Sequence, residues 1–261
     1  MKFHRKTRKI FYEDQMIFSY ETEFVKNIDG CLELKDTVAY PEGGGQDSDI
    51  GRIYKKNASI RFVMSKKSYA HSPALKDFPG IQVDGIVLHQ VHPEDLENIK
   101  LFAEGDIVNI EIDSSRRFNN SLSHTASHIL YAAITEIRPD VIEGTIGCHI
   151  KEGSARFDFS TPSRFSPEDV LKIQECANAI SEKNLEIYIK RHPDVSDARI
   201  WCCGPYEIPC GGTHLSSTRP VGNLIIKRKS MGASKERLSC EFPNSMKFED
   251  AINFLDIQIK S

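Results

Sequence analysis

No run of apolar residues in the sequence approaches the roughly 20 needed to span a bilayer. The opening MKFHRKTRKIFYED is basic but has no apolar stretch behind it, so it does not read as a secretory leader. Internal repeats and low-complexity segments are also missing. Neither charge sign dominates. The 34 Lys and Arg against 37 Asp and Glu leave a formal net charge of −3, which excludes a protein that coats nucleic acid over its whole surface and leaves room only for a local basic patch. The seven cysteines are odd in number and show no small-scaffold spacing, so they do not form a disulfide framework. With no leader in view, a reducing, cytoplasmic setting is expected, where Cys serves packing or metal binding. Cys31, Cys148, Cys176 and Cys240 each stand alone among apolar neighbours and read as small buried hydrophobes.

The chain has 261 residues, 39% of them hydrophobic, enough for one large domain or two ordinary ones. Up to Asp113 the pattern is β: GCLELKDTVAY, ASIRFVMSKK, DGIVLHQV and DIVNIEID are short apolar or alternating runs broken by Gly, Pro and Asp. The only helical hint there is a short one near Pro93–Lys100. A barrel or sandwich over 1–113 is expected. Residues 114–261 read as α+β. SLSHTASHILYAAITEI has a helical period. SPEDVLKIQECANAISEKN opens with Ser166 at an N-cap, Pro167 behind it and acids in the first turn, and then repeats Val170, Ile173, Ala177 and Ile180 on one face. LEIYIKRH, GNLIIKRKS and ERLSCEF read as strands. A last helix from about Asn244 turns Met246, Ile252, Leu255 and Ile259 inward. In RFDFS, strand alternation sends Phe157 and Phe159 to the core and Arg156 and Asp158 outward.

Two residue pairs carry the chemistry. His124 and His128 are four apart in HTASH, and on a helix that puts them one turn apart on one face. They fall opposite the apolar stripe of Leu122, Ala126, Ile129, Leu130, Ala133 and Ile137, so they are expected to line a cleft. Cys210 and His214 are four apart in PCGGTH. Either pair alone is too few for zinc, which takes three or four protein ligands, but together they make a plausible tetrahedral set of three nitrogens and one sulfur. A zinc-protease helix needs HExxH with Glu as general base. Thr125 stands at that position, so that reading fails.

YPEGGGQDSDIG, 40–51, is costly to order because glycine loses the most backbone entropy. Either it is a hairpin loop or a backbone there must turn sharply and approach something closely. No Gly-Lys-Ser/Thr follows, so it is not a P-loop. The runs KFHRKTRK and KRKSMGASKERLS read either as solvated faces or as phosphate contacts.

In order along the chain, TVAYPEGGGQDSDIG, EIDSSRRFNNSLSHTASHIL, SARFDFS and PCGGTHLSSTRPVGNLII resemble the editing domains of alanyl-tRNA synthetases and the free-standing alanyl-tRNA editing proteins (the AlaX family), from about Thr37 to Gly222. The resemblance implies a translation-factor-like N-terminal β-barrel followed by an α+β editing domain. It implies a hydrolase that acts in trans on alanine-specific tRNA mischarged with serine or glycine, cleaving the aminoacyl ester with zinc held by His124, His128, Cys210 and His214. Thr37 matches a threonine thought to face the amino-acid side chain. Gly43, Gly44, Gly45 and Gln46 match the glycine-rich editing motif, with Gln46 and Thr37 as the catalytic candidates. With tRNA as partner, Lys227, Arg228 and Lys229 become candidate phosphate contacts.

The chain departs from the family at Ala39, where an aromatic is usual. It departs again at Ile142, Glu143, Gly144 and Thr145, where synthetase domains often have Gln-Lys-Gly-Ser. Both changes bear on fine specificity. A threonyl-tRNA editing deacylase uses a similar metal layout, and a closed four-ligand shell also suits a catalytically silent tRNA-binding module. The Tyr-Pro-Glu-Gly-Gly-Gly-Gln segment favours the alanine branch.

Overall fold

The computed structural model describes residues 6–73, 75, 78, 81–232 and 234–254. In chain order the first half contains β1 (Arg8–Lys9), β2 (Ser19–Ile28), β3 (Cys31–Leu34), β4 (Asp36–Thr37), β5 (Gly51–Lys55), β6 (Ala58–Ser68), β7 (Ile86–Val91) and β8 (Ile107–Ile112). Six of these close into a barrel in the order β2-β3-β7-β6-β5-β8, with β8 pairing back onto β2. Closure removes free sheet edges. The alternation in β8 has a direct cause: Val108, Ile110 and Ile112 are buried while the residues between them face out. Asp29 and Gly30, with φ of 49° and 77°, form the two-residue turn joining β2 to β3, the geometry that an Asp-Gly pair favours. In β6 an irregularity between Phe62 and Met64 shifts the inward face from Ile60 and Phe62 to Ser65. The helical hint at Pro93 is a 3-10 stretch over Pro93–Leu101.

The second half contains α1 (Ser114–Ile137), β9 (Thr145–Lys151), β10 (Ser154–Ser160), α2 (Pro167–Glu182), β11 (Ile187–Arg191), β12 (Arg199–Cys203), β13 (Tyr206–Pro209), β14 (Ile225–Ser230), β15 (Lys235–Glu241) and α3 (Phe248–Phe254). They make a four-stranded sheet, β14-β15-β10-β9, and a three-stranded one, β11-β12-β13. Helix α1 packs against α2 and against β9 and β10. Ser166 caps α2 as expected, in a reciprocal box with Asp169, and Ile173, Ala177 and Ile180 are buried. Phe157 and Phe159 point inward, and Asp158 pairs with Arg237 on β15.

Several expectations need correction. Helix α1 starts at Ser114, well before the apolar period becomes visible, because the Asp113 side chain accepts the Arg116 N–H at 2.9 Å and caps it. The last helix starts at Phe248, so Met246 packs from the preceding loop, while Leu255 and Ile259 lie outside the described residues. Cys31 and Cys240 are buried as expected, but Cys148 and Cys176 are partly exposed. Among the described residues, no helix is long and apolar enough to cross a membrane.

One continuous hydrophobic cluster runs from Ile53, Ile60 and Val108 in the barrel through Ile129 and Leu130 of α1 to Phe157 and Leu238. A buried ion pair reinforces the junction. Arg117 of α1, with no exposed surface, pairs with Asp49 and also donates to the carbonyls of Gln15 and Val38. Asp49 in turn accepts the Tyr40 N–H at 2.7 Å. The glycine-bearing loop is thus pinned at both ends to the helix that carries the histidines.

Candidate metal centre and its cavity

His124 and His128 sit on a helix that is buried nearly all round, since the segment after β13 covers the face opposite the apolar stripe. Their rings lie 4.9 Å apart, and the ring of His214 approaches His124 at 4.2 Å and His128 at 4.6 Å. Cys210 Sγ lies 3.4 Å from His124 Nε2 and 3.4 Å from His214 Nε2. All four ligand atoms fall within 4.8 Å of one another. Bonds of about 2.3 Å to sulfur and about 2.0–2.1 Å to nitrogen in a tetrahedron put sulfur and nitrogen about 3.5 Å apart, so the spacing fits zinc.

Protonation favours the same use. Burial lowers His124 to about 3, and burial together with neighbouring imidazoles holds His128 and His214 well below the ordinary histidine value. All three are therefore neutral, the form that binds a metal. Burial raises the Cys210 thiol to about 11, while the Gly212 N–H and the Arg199 charge pull it back down. A cation in the cluster would reverse that balance. His128 Nδ1 and His214 Nδ1 are buried with no hydrogen-bond partner among the described residues. Unsatisfied buried polar atoms are costly, and a cation in the cluster would leave that cost in place at His214, which turns its other nitrogen, Nε2, toward Cys210.

The ligands have a supporting layer. Gln46 Oε1 accepts from His124 Nδ1 at 2.7 Å and from the Thr213 N–H at 3.1 Å, and Gln46 Nε2 donates to Thr213 Oγ1 at 3.0 Å. That fixes the His124 tautomer with its Nε2 lone pair toward the cluster. The His214 N–H donates to Gln15 Oε1 at 2.6 Å. Gly212 is required by space: a Cβ there would lie 2.0 Å from His124 Cε1.

A cavity of about 740 Å³ opens beside the cluster. Of the candidate residues, His124, His128, Cys210, Gly43 and Gly44 line it, while His214 closes the cluster from behind. Gly44 and Gly45 adopt φ of 60° and 83°, and Gly43 and Gln46 exchange backbone hydrogen bonds, so the run is a tight turn. Gly45 does not line the cavity. It packs on β9, where a Cβ would lie 2.9 Å from the Cys148 carbonyl oxygen.

Three candidate sets lie off the cavity lining. Thr37 does not line the cavity. It is fully buried, with its hydroxyl 2.8 Å from His89 Nε2 and accepting the Ala39 N–H at 3.0 Å. Its place in β4, paired with β1, turns it into the barrel-side interior. Gln46 is likewise fully buried, against His124 and Thr213 rather than open space. Lys227, Arg228 and Lys229 are on β14, away from the cavity lining. Lys227 binds Glu241 at 2.7 Å and Arg228 grips Glu236, leaving Lys229 with no carboxylate partner among the described residues. In the N-terminal basic run, Lys9 is buried against Asp197 and Arg8 pairs with Glu13, while residues 2–5 lie outside the described residues.

Tyr12, Lys67, Ser127 and Thr145 also line the cavity, and of these only Thr145 stood out in the sequence, as part of the departure from the Gln-Lys-Gly-Ser pattern. Tyr12 came from an apolar triplet and Lys67 from a strand end; neither carries a motif.

No family model matches the chain. It is 31% identical to the alanine–tRNA ligase of Methanosphaera stadtmanae, over 85% of this chain and 25% of that protein. It is 27% identical to the alanine–tRNA ligase of Pyrococcus furiosus over 85% of this chain and 24% of the ligase, and 26% identical to that of Methanosarcina mazei over 89% and 25%. The chain spans about a quarter of the length of the curated relatives it matches, so the similarity is to one portion of a ligase.

Proposed function

We propose that this chain is a trans-acting aminoacyl-tRNA editing hydrolase, of the kind that frees alanine-specific tRNA from serine or glycine in a reducing cytoplasm. The observation that carries the reading is the convergence of His124, His128, Cys210 and His214 beside a cavity walled by Gly43 and Gly44, in a chain similar to part of alanine–tRNA ligases. The cavity is in the range of small-ligand sites, about 300–1,000 Å³, which suits an esterified amino acid with its ribose.

Zinc, when bound, supplies Lewis acidity that polarises an ester carbonyl or acidifies water. The chain's own residues supply orientation. Gln46 and Gln15 hold His124 and the His214 backbone in place. The Tyr12 hydroxyl borders the cavity near Gly211, where a Cβ would approach it to 3.4 Å, and has no hydrogen-bond partner among the described residues. Burial keeps that phenol protonated, because the phenolate is disfavoured. Arg199 lies over its ring at 4.4 Å and holds it in place. A fixed neutral donor at the wall suits the oxygen on which charge develops during ester cleavage.

Discrimination has candidates in place of Thr37. Ser127 donates to the His124 carbonyl at 2.7 Å and Thr145 to the Ile142 carbonyl at 2.7 Å. Both residues line the cavity, and with their protons committed their hydroxyl oxygens are left as acceptors. A seryl hydroxyl can donate to one of them, and an alanyl methyl leaves it unpaired. The test is hydrolysis of alanine-specific tRNA charged with serine, glycine or alanine, with zinc measured on the same sample. Cleavage of the serine or glycine ester over the alanine ester supports the reading. Zinc without cleavage of any ester points to a tRNA-binding module with a structural metal, which a closed four-ligand shell also suits.

A further inference from the structure

The basic residues that looked suited to RNA are largely neutralised within the protein. Lys227, Arg228 and Arg237 are each bound to a carboxylate, and Lys9 is buried against Asp197. Among the described residues the cavity lining contains one cationic side chain, Lys67, near the end of β6. Its ammonium donates to the Gln82 carbonyl at 3.2 Å and forms no ion pair among the described residues. The nearby carboxylate of Asp197 is already taken by Lys9 and by the Asp84 N–H at 2.8 Å. Glu207, also on the lining, pairs with Lys190. Lys67 is therefore a cation without an ion pair among the described residues on the wall of the same cavity that His124, His128 and Cys210 line, where Glu42 likewise has no ion-pair partner among the described residues.

We propose that Lys67 binds the internucleotide phosphate next to the terminal adenosine of the RNA 3′ end, and so anchors the ester-bearing ribose in the cavity. This rests on the reading of the substrate as an aminoacyl-tRNA. An ester on the terminal ribose carries its nearest negative charge one linkage away, on that phosphate. A lysine at the wall is a compact point charge suited to it. The surroundings of Lys67 agree: burial and the Lys9 cation lower its ammonium to about 8, with Asp197 opposing, so an arriving anion relieves a destabilised charge. On β14, Lys227 and Arg228 are spent on Glu241 and Glu236, which leaves Lys229 as the cation of that strand without a carboxylate partner among the described residues.

The test uses binding alone, so it stands whether or not the protein proves to be a hydrolase. Adenosine and cytidylyl-adenosine, which adds one phosphate, are titrated by calorimetry into the zinc-loaded full chain, its Lys67→Met variant and a Lys56→Met control that removes an exposed charge outside the cavity. The wild-type protein and the control should prefer the dinucleotide. Lys67→Met should lose about tenfold of that preference, the scale of one charge-assisted hydrogen bond, while binding adenosine as before. Lys67→Arg should keep most of it. An equal preference in wild type and Lys67→Met, or no binding of the dinucleotide by wild type, overturns the proposal. Loss of adenosine binding in Lys67→Met also overturns it, because the residue would then shape the cavity rather than hold the phosphate.

Discussion

Gln46 and His124, 78 residues apart, meet through a 2.7 Å hydrogen bond from His124 Nδ1 to Gln46 Oε1. The bond ties the glycine-bearing loop to the metal-ligand helix, and it decides which imidazole nitrogen is left for a metal. Its consequence is measurable. Gln46→Leu leaves the His124 Nδ1–H and the Thr213 backbone N–H buried without their partner, while Thr213 Oγ1 keeps the Ser121 hydroxyl. Zinc affinity, read by chelator competition, should fall about 10–100-fold, the usual loss for a removed supporting hydrogen bond. Cys210→Ala should abolish stoichiometric zinc outright. Unchanged affinity in Gln46→Leu would mean that the bond does not set the tautomer.

Gly212 and Gly43 should behave oppositely when replaced by alanine. At Gly212 the added Cβ would lie 2.0 Å from the His124 ring, which is packed in place. At Gly43 the nearest atoms would be 3.9 Å away. Gly212→Ala should therefore lose zinc and lower the melting temperature, and Gly43→Ala should leave both near wild type. Equal melting curves for the two variants would show that the turn after Cys210 yields more easily than its contacts imply.

Thr37→Val should act on stability rather than selectivity. It leaves His89 Nε2 and the Ala39 N–H unpaired in the interior, a cost of about 1–3 kcal/mol in urea unfolding. The ratio of seryl to glycyl ester cleavage should stay as in wild type, because Thr37 is not on the cavity wall. A selective loss of seryl cleavage would return Thr37 to the substrate site.

Arg117→Met strands the Asp49 carboxylate in the interior, since both side chains are fully buried. Breaking such a pair costs about 3–5 kcal/mol, which urea unfolding would read. The Tyr40 N–H, held by Asp49, would also lose its anchor, so ligand-site order should suffer along with stability. A loss below about 1 kcal/mol would show that water reaches the carboxylate.

His89 predicts an acid limb. Burial lowers it from 6.5 to about 4, against a hydrogen bond to the Leu32 carbonyl that pulls the other way. The folded state thus holds fewer protons than the unfolded chain between these values. Its contribution is complete above pH 6.5 and is lost as the pH falls through about 4, in total about 3 kcal/mol. Stability measured against pH should fall less steeply over that window in His89→Gln than in wild type. Parallel slopes would mean that His89 is hydrated in the folded protein.

By itself the sequence determined the local pieces, because each rests on neighbours in the chain. The Ser166 cap, the alternation in β8 and the pairing of His124 with His128 are all short-range signals. The joint ligand set was legible too, since His and Cys in two four-residue spacings have few other shared uses. Barrel closure, the meeting of Asp49 with Arg117, and the places of Thr37, Gln46, Lys67 and Tyr12 were decided only by the tertiary structure. These depend on which distant strands pair and which side chains then compete for the same buried space. Thr37 and Lys67 show the difference most clearly. Strand alternation assigns each a side of its own strand, but whether that side meets a cavity or a neighbouring histidine depends on residues that come together only when the chain is folded.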